Sequence, residues 1–282
     1  MLTQLTASLR SDLCPSPRRS PWLFGPRLPA RVILVPAFLY LTYFGPSVVR
    51  GVWMLLAPWT RDQRWEAREG IFHITQMLGS LGLLVMAIIL ALSRWGAAAA
   101  LRRPRTRSDL GAEAWSVLLW AIPYLVFSQV LLQWIGAATG APRYPEALNN
   151  SWGVAFDVCG ALAAGVEEEL LLGPLAVTLL RRAGLSWWVV FTTVGVARAL
   201  FHLYYGWGSI SLALWGFASA ACYAVTGRIW AVVILHFLSD LSLTLQTLGM
   251  PSATALPAIY VAAAVPIAAL GHYRRRHRQD TP

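Results

Sequence analysis

Between Gly70 and Leu92, and again between Ala114 and Ala137, the chain carries no Asp, Glu, Lys or Arg for about the 20 residues a helix needs to cross a bilayer. Elsewhere polarity is scarce too: 57% of the residues are hydrophobic and only 13% are charged, against roughly 25% charged in ordinary soluble domains. So few polar side chains cannot cover the surface of a water-soluble fold of this size. A membrane barrel would need strands that alternate apolar and polar residues, and these runs do not alternate. The expectation is an all-α, polytopic membrane helical bundle.

Eight spanning segments are expected: Val32 to Ala57, Gly70 to Leu92, Ala114 to Ala137, Trp152 to Leu180, Ser186 to Tyr205, Ile210 to Val225, Ile229 to Leu245 and Ala253 to Leu270. The sixth is short and the fifth runs into Gly206-Trp207-Gly208, so this pair is expected to be tilted or partly re-entrant. Every basic residue is Arg, and the excess over acids gives a net charge of +10. These Arg residues gather in the short stretches before the first segment and after the second, fourth, sixth and eighth, so every second loop is the positive one. The charge therefore reads as membrane topology with both termini in the cytoplasm, not as a nucleic-acid surface. Along the chain this gives a basic cytoplasmic segment (1–31), three helices with an Arg-rich loop (32–150), a core (151–248), and a last helix with an Arg-rich tail (249–282). No cleaved signal peptide is expected, because the first thirty residues hold Arg10, Arg18, Arg19 and Arg27 with several prolines and no apolar core. The odd, widely spaced cysteines Cys14, Cys159 and Cys222 form no CxxC or Cys/His pattern, and are read as packing residues. No internal repeat is visible.

Five acids lie inside apolar segments: Asp157, Glu167, Glu168, Glu169 and Asp240, together with His73, His202, His236, Arg50 and Arg198. A charge at the bilayer centre costs at least roughly 2.5–3.5 kcal/mol, so such positions need internal partners or water and point to a functional site. Three adjacent carboxylates cannot all stay ionised there, since desolvation and mutual repulsion both favour the neutral acid. One of them can then act as a general base while a neighbour orients partners; the alternative is that they only bridge helices, through Arg198 or a hydroxyl. Arg198 and His202 are four residues apart and share one helix face, as do His236 and Asp240. The second pair suits a metal, or an imidazole whose tautomer is set by its carboxylate. His73, alone on its apolar helix, is read as a packing residue.

In this order and spacing, the three elements resemble the motifs of the CAAX protease and bacteriocin-processing (CPBP, or Abi) family of intramembrane proteases: EExxxR, FxxxH, and HxxxN or HxxxD. Glu167-Glu168 resemble the first, His202 the second, and His236 with Asp240 the third, with the resemblance running from Trp152 to about Leu245. Two positions depart from it. Leu172 stands at the Arg of the first motif and Arg198 at the Phe of the second, an exchange that would let Arg198 neutralise the glutamates from a facing helix.

The resemblance implies an intramembrane endopeptidase acting on a membrane-associated or prenylated-type protein or peptide in an integral, bacterial-type cell membrane. Glu167 with His202 would activate water, His236 and Asp240 would bind the oxyanion or a metal, and Glu168 would pair with Arg198. Zinc is open at this point, because a set of Glu167, His202, His236 and Asp240 can coordinate it or activate water without it. The other readings are a catalytically silent scaffold or immunity protein on the same fold, and a proton or cation transporter, which would need broken helices in two related halves. Counted from the cytoplasmic side, His202 lies about 16 residues into its helix and His236 about 7, an offset of about 13 Å at 1.5 Å per residue. A shared site requires the fold to close that gap, by tilt or re-entrance.

Overall fold

The computed structural model describes residues 26–56, 70–97, 101, 122–139 and 151–247. Among these residues every regular element is helical. A 3₁₀ turn, Ala30–Ile33, leads into α1 (Leu34–Leu56); α2 is Gly70–Arg94, α3 Ile122–Thr139, α4 Ser151–Leu170, α5 Thr178–Arg182, α6 Trp187–Phe201, α7 Leu212–Thr226 and α8 Trp230–Thr247. The expected eighth segment, residues 102–113 of the Arg-rich loop, residues 114–121 of the expected third segment and the Arg-rich tail lie outside the described residues.

This is a helical membrane bundle. The spans Ala30–Trp53, Ile74–Arg94 and Leu203–Thr226 are each long and apolar enough to cross a bilayer, and Val126–Thr139, Trp187–Phe201 and Trp230–Leu245 are shorter apolar helices. Large apolar side chains stand on the outside, among them Phe38, Trp53, Leu83, Trp134 and Trp188, where lipid rather than water is their natural neighbour.

The inner half of α4 and its continuation are the centre of the bundle. From Leu170 to Leu180 every residue is buried, so this helix is covered on all sides instead of along one stripe. Pro174 falls in this stretch; it lacks an N–H and its ring would collide with the carbonyl one turn back. The helix widens to π geometry over Leu171–Val177 around Pro174 and resumes as α5, directly after the glutamates.

The fifth expected segment is shorter than its apolar run. After Ser186 caps its start by accepting from Val189 N at 3.4 Å, α6 ends at Phe201, and His202 leaves the α-region. A 3₁₀ stretch, Leu203–Ser211, then carries the chain into α7. At the far end of α7, Gly227 adopts the left-handed conformation (φ 65°, ψ 21°), which stops the helix and starts the turn into α8. That turn closes the 13 Å offset. Ile229 within it lies against Gly173, nine residues before the end of α5 at Arg182. At 1.5 Å per residue, the α7–α8 turn thus stands about 13 Å inside the level at which α5 ends and α6 begins. His236 starts its helix from a recessed turn, and therefore needs fewer residues than His202 to reach the same depth. On the outer side of the turn, Trp230 Nε1 donates to the Leu101 carbonyl at 3.4 Å. Arg182 ties the same end together, donating to Trp95 O at 2.6 Å and Pro26 O at 3.3 Å.

Candidate active site

Successive residues of a helix point about 100° apart, so the three glutamates at the end of α4 face three neighbours. Glu167 turns to α1, beside Tyr43. Glu168 faces the imidazoles of α6 and α8: its Oε1 is 3.8 Å from His202 Nε2 and its Oε2 is 3.9 Å from His236 Nε2. Glu169, fully buried, accepts from His236 Nδ1 at 2.9 Å through Oε1. The same oxygen accepts from Arg198 Nη2 at 2.7 Å, and Arg198 Nη1 donates to Glu168 Oε2 at 3.1 Å.

Arg198 is therefore a two-pronged bridge. Its planar fork serves two carboxylates at once, which an ammonium group does less well. Only 1% exposed, it also lies 5.8 Å over the ring of Trp215, whose edge meets His236 at 6.1 Å. Leu172, at the family's Arg position, is buried in the apolar core. The positive charge of the site thus comes from α6, facing α4 from outside.

Hydrogen bonds set the imidazoles. His202 Nδ1 lies 2.8 Å from the Arg198 carbonyl, which can only accept, so Nδ1 carries the proton and Nε2 presents its lone pair toward Glu168. His236 has a carboxylate at each ring nitrogen, Glu169 at Nδ1 and Asp240 Oδ2 at 3.4 Å from Nε2. Asp240 is about one third exposed and forms the open side of the cluster.

The site depends on α4 and α8 lying close together. A Cβ on Gly165 would stand 3.0 Å from Val233 O and 3.1 Å from Phe237 N, backbone atoms that cannot swing aside. Gly165 is one turn before Glu169, so the closest approach of the two helices is what delivers that carboxylate to His236. Gly165→Ala is expected to destabilise the fold by about 1–3 kcal/mol, the usual cost of overpacking, read as a lowered Tm in detergent.

Of the residues singled out from the sequence, the structure brings Glu168, His202, His236, Asp240 and Arg198 into one cluster. Glu167 stands at its edge, turned to Tyr43 rather than to an imidazole. Asp157 lies half-buried in the outer half of α4, ten residues before Glu167, and Arg50 is exposed near the end of α1. One member of the site, Glu169, is among the embedded acids singled out from the sequence but is given no role by the motifs. For Glu169 a signal exists: it is four residues after a glycine, and small residues mark the face where membrane helices pack most closely.

The donor types present, two imidazole nitrogens and two carboxylates, are those zinc takes. Their placement does not suit it. Among the described residues, no three His, Cys, Asp or Glu side chains are arranged to hold a metal ion. The guanidinium of Arg198 already sits 3.1 Å from the Glu168 oxygen that faces His236, where a metal would meet a like charge.

No curated protein and no solved structure matches the chain. Residues 150–242, which hold all three glutamates, Arg198, both cluster histidines and Asp240, match the family described as Rce1-like, type II CAAX prenyl endopeptidase Rce1-like. Through this third of its length, the part that builds the site, the chain is similar to the type II CAAX prenyl endopeptidases.

Proposed function

We propose that the chain is an intramembrane endopeptidase in which Glu168 activates water. One observation supports this most directly: a buried carboxylate with an imidazole Nε2 from each of two helices 3.8 and 3.9 Å away, too far for direct hydrogen bonds and near enough for one water to touch the carboxylate and an imidazole together. Such a water would donate to Glu168 Oε1 and to the lone pair of His202 Nε2, which fixes the direction of its own attacking pair. Glu168 takes the proton as the water oxygen bonds to the peptide carbonyl carbon.

His236 then faces the oxyanion. With a carboxylate at each nitrogen, the ring is arranged to carry two protons, donating from Nδ1 to Glu169 and from Nε2 to Asp240 or to the developing negative charge. Asp240 orients the ring and does not itself contact the oxyanion, which an ionised carboxylate would repel. When the intermediate collapses, the C–N bond breaks and the leaving amine takes the proton held by Glu168. Arg198 pairs with Glu169 and holds Glu168 in place. No step uses a metal, and cleavage is expected to survive 1,10-phenanthroline.

The test is a proteomic comparison of membranes from cells carrying the native chain or Glu168→Gln, with substrates appearing as cleaved termini only in the former. Identical terminal peptides in both would favour a silent scaffold on this fold. The orientation follows the Arg distribution: reporters fused after Gly140 are expected to read as external, and those after Arg182 and at the C-terminus as cytoplasmic. A cytoplasmic signal after Gly140 would overturn both the orientation and the helix count.

A further inference from the structure

Helix α1 lies outside the matched segment, yet one stripe of it packs on the place where α6 stops being a helix. There His202 leaves the α-region (φ −98°, ψ 8°), and its N–H bonds three residues back, to Ala199 O at 3.2 Å. The imidazole bonds four residues back, to the Arg198 carbonyl at 2.8 Å, so its tautomer depends on this last turn keeping its shape. Around the turn α1 makes three contacts. Tyr40 donates its hydroxyl proton to the Ala197 carbonyl at 2.7 Å. Phe44 stacks on Phe201 with centroids 4.2 Å apart and planes 14° from parallel, and the Phe201 ring lies 4.3 Å from that of His202. Gly51 meets the chain just after the imidazole: a Cβ there would stand 2.6 Å from Leu203 Cβ and 3.0 Å from both Leu203 C and Tyr204 N. At about 100° per residue, Tyr40, Phe44 and Gly51 fall within about 40° of one another around the helix axis, so they form one face.

We propose that α1 is a clamp that positions the His202 imidazole, with Phe44 and Gly51 as its positioning residues. Phe44 acts through the Phe201 ring before His202, and Gly51 through the backbone after it. The gripped segment needs an outside hold. Gly206 departs from helical geometry (φ 72°, ψ −158°), which leaves Leu203–Tyr205 as a single 3₁₀ turn between two breaks. One such turn has poorer hydrogen-bond geometry than an α-helix, so its neighbours decide where it stands. Gly51 lets α1 come close enough to do so, because any side chain there would meet backbone atoms that cannot swing aside. With Glu168 Oε1 3.8 Å from His202 Nε2, a displacement of about 1 Å takes the imidazole out of working geometry. The consequence for catalysis rests on the endopeptidase reading, while the hold on His202 can be tested without it.

Two measurements are made on the full-length chain in detergent, with Phe44→Leu, Gly51→Ala and Val49→Ala beside the native protein; Val49 is the control, exposed on another face of the same helix. The first is modification of histidines by diethyl pyrocarbonate, read at His202 and His236 by mass spectrometry. Phe44→Leu and Gly51→Ala are expected to raise modification of His202 several-fold. His236, held by Glu169 and Asp240 from α4 and α8, is expected to stay unchanged. No rise at His202 overturns the proposal, and so does an equal rise at both histidines, which would mean general loosening. A matching rise in Val49→Ala overturns it as well. The second measurement is cleavage of a fluorogenic farnesylated CAAX peptide, with Glu168→Gln as the inactive control. Both clamp variants are expected to lose roughly ten- to hundredfold in kcat with KM preserved, the order that displacing a catalytic group costs. Full activity in either, or a raised KM at constant kcat, overturns the clamp. If Gly51→Ala does not fold, Phe44→Leu carries both measurements. If the native chain leaves the peptide uncut, the endopeptidase reading fails for this substrate class, and modification of His202 alone decides whether α1 holds it.

Discussion

Glu168→Gln is expected to lower kcat by a factor on the order of 10²–10⁴, the range general-base catalysis contributes, while Glu167→Gln leaves most of the activity. The amide keeps the size of the carboxylate and a carbonyl oxygen that can accept from Arg198, so the loss reports basicity rather than packing. The contrast between neighbours follows from geometry: Glu168 lies 3.8 and 3.9 Å from the two Nε2 atoms, while Glu167 turns to Tyr43. Steady-state cleavage by purified protein, with Tm measured on the same samples, separates the effect from unfolding. The opposite order, with Glu167→Gln inactive and Glu168→Gln active, would move the base one residue back and give Glu168 the role of holding Arg198.

Arg198→Ala is expected to be the most destabilising substitution in the core. It leaves Glu168 and Glu169 together without their counterion, in a place where breaking a buried ion pair costs on the order of 3–5 kcal/mol. The variant is expected to melt far below the native chain in detergent or to fail to assemble. Adding Glu169→Gln, which removes the fully buried charge, is expected to restore part of the loss. That sign of coupling is what a direct pair requires; simple additivity would mean that Arg198 serves another group. Arg198→Lys is expected to restore less than half, because one ammonium cannot reproduce the two-pronged contact with both carboxylates.

Much of this molecule is local and so could be read from order and spacing alone. Runs of about 20 apolar residues specify membrane helices because a backbone in lipid must bond to itself. Four-residue spacing puts Arg198 with His202, and His236 with Asp240, on one face whatever the rest of the chain does. The three adjacent glutamates among apolar residues announce a site because charges at that depth need partners. The exchange of the motif's Arg from α4 to α6 was legible too, since Leu172 and Arg198 are plain substitutions at known positions.

Which glutamate meets which partner was not local. A rotation of about 100° separates Glu167 from Glu168 and Glu168 from Glu169, and the absolute rotation of α4 is set by its packing, with Gly165 against Val233 and Phe237. Depth was not local either. Counting residues from a cytoplasmic level left His202 and His236 about 13 Å apart, because the count assumes that every turn reaches the same plane. The turn at Gly227 to Ile229 does not: it packs beside Gly173 inside the bundle, and only the assembled helices decide that. Composition and periodicity determine that this chain is a membrane bundle carrying glutamates and histidines. The packing of α1, α4, α6 and α8 determines that Glu168 is the carboxylate between the two imidazoles, because rotation and depth are relations between helices and no single segment encodes them.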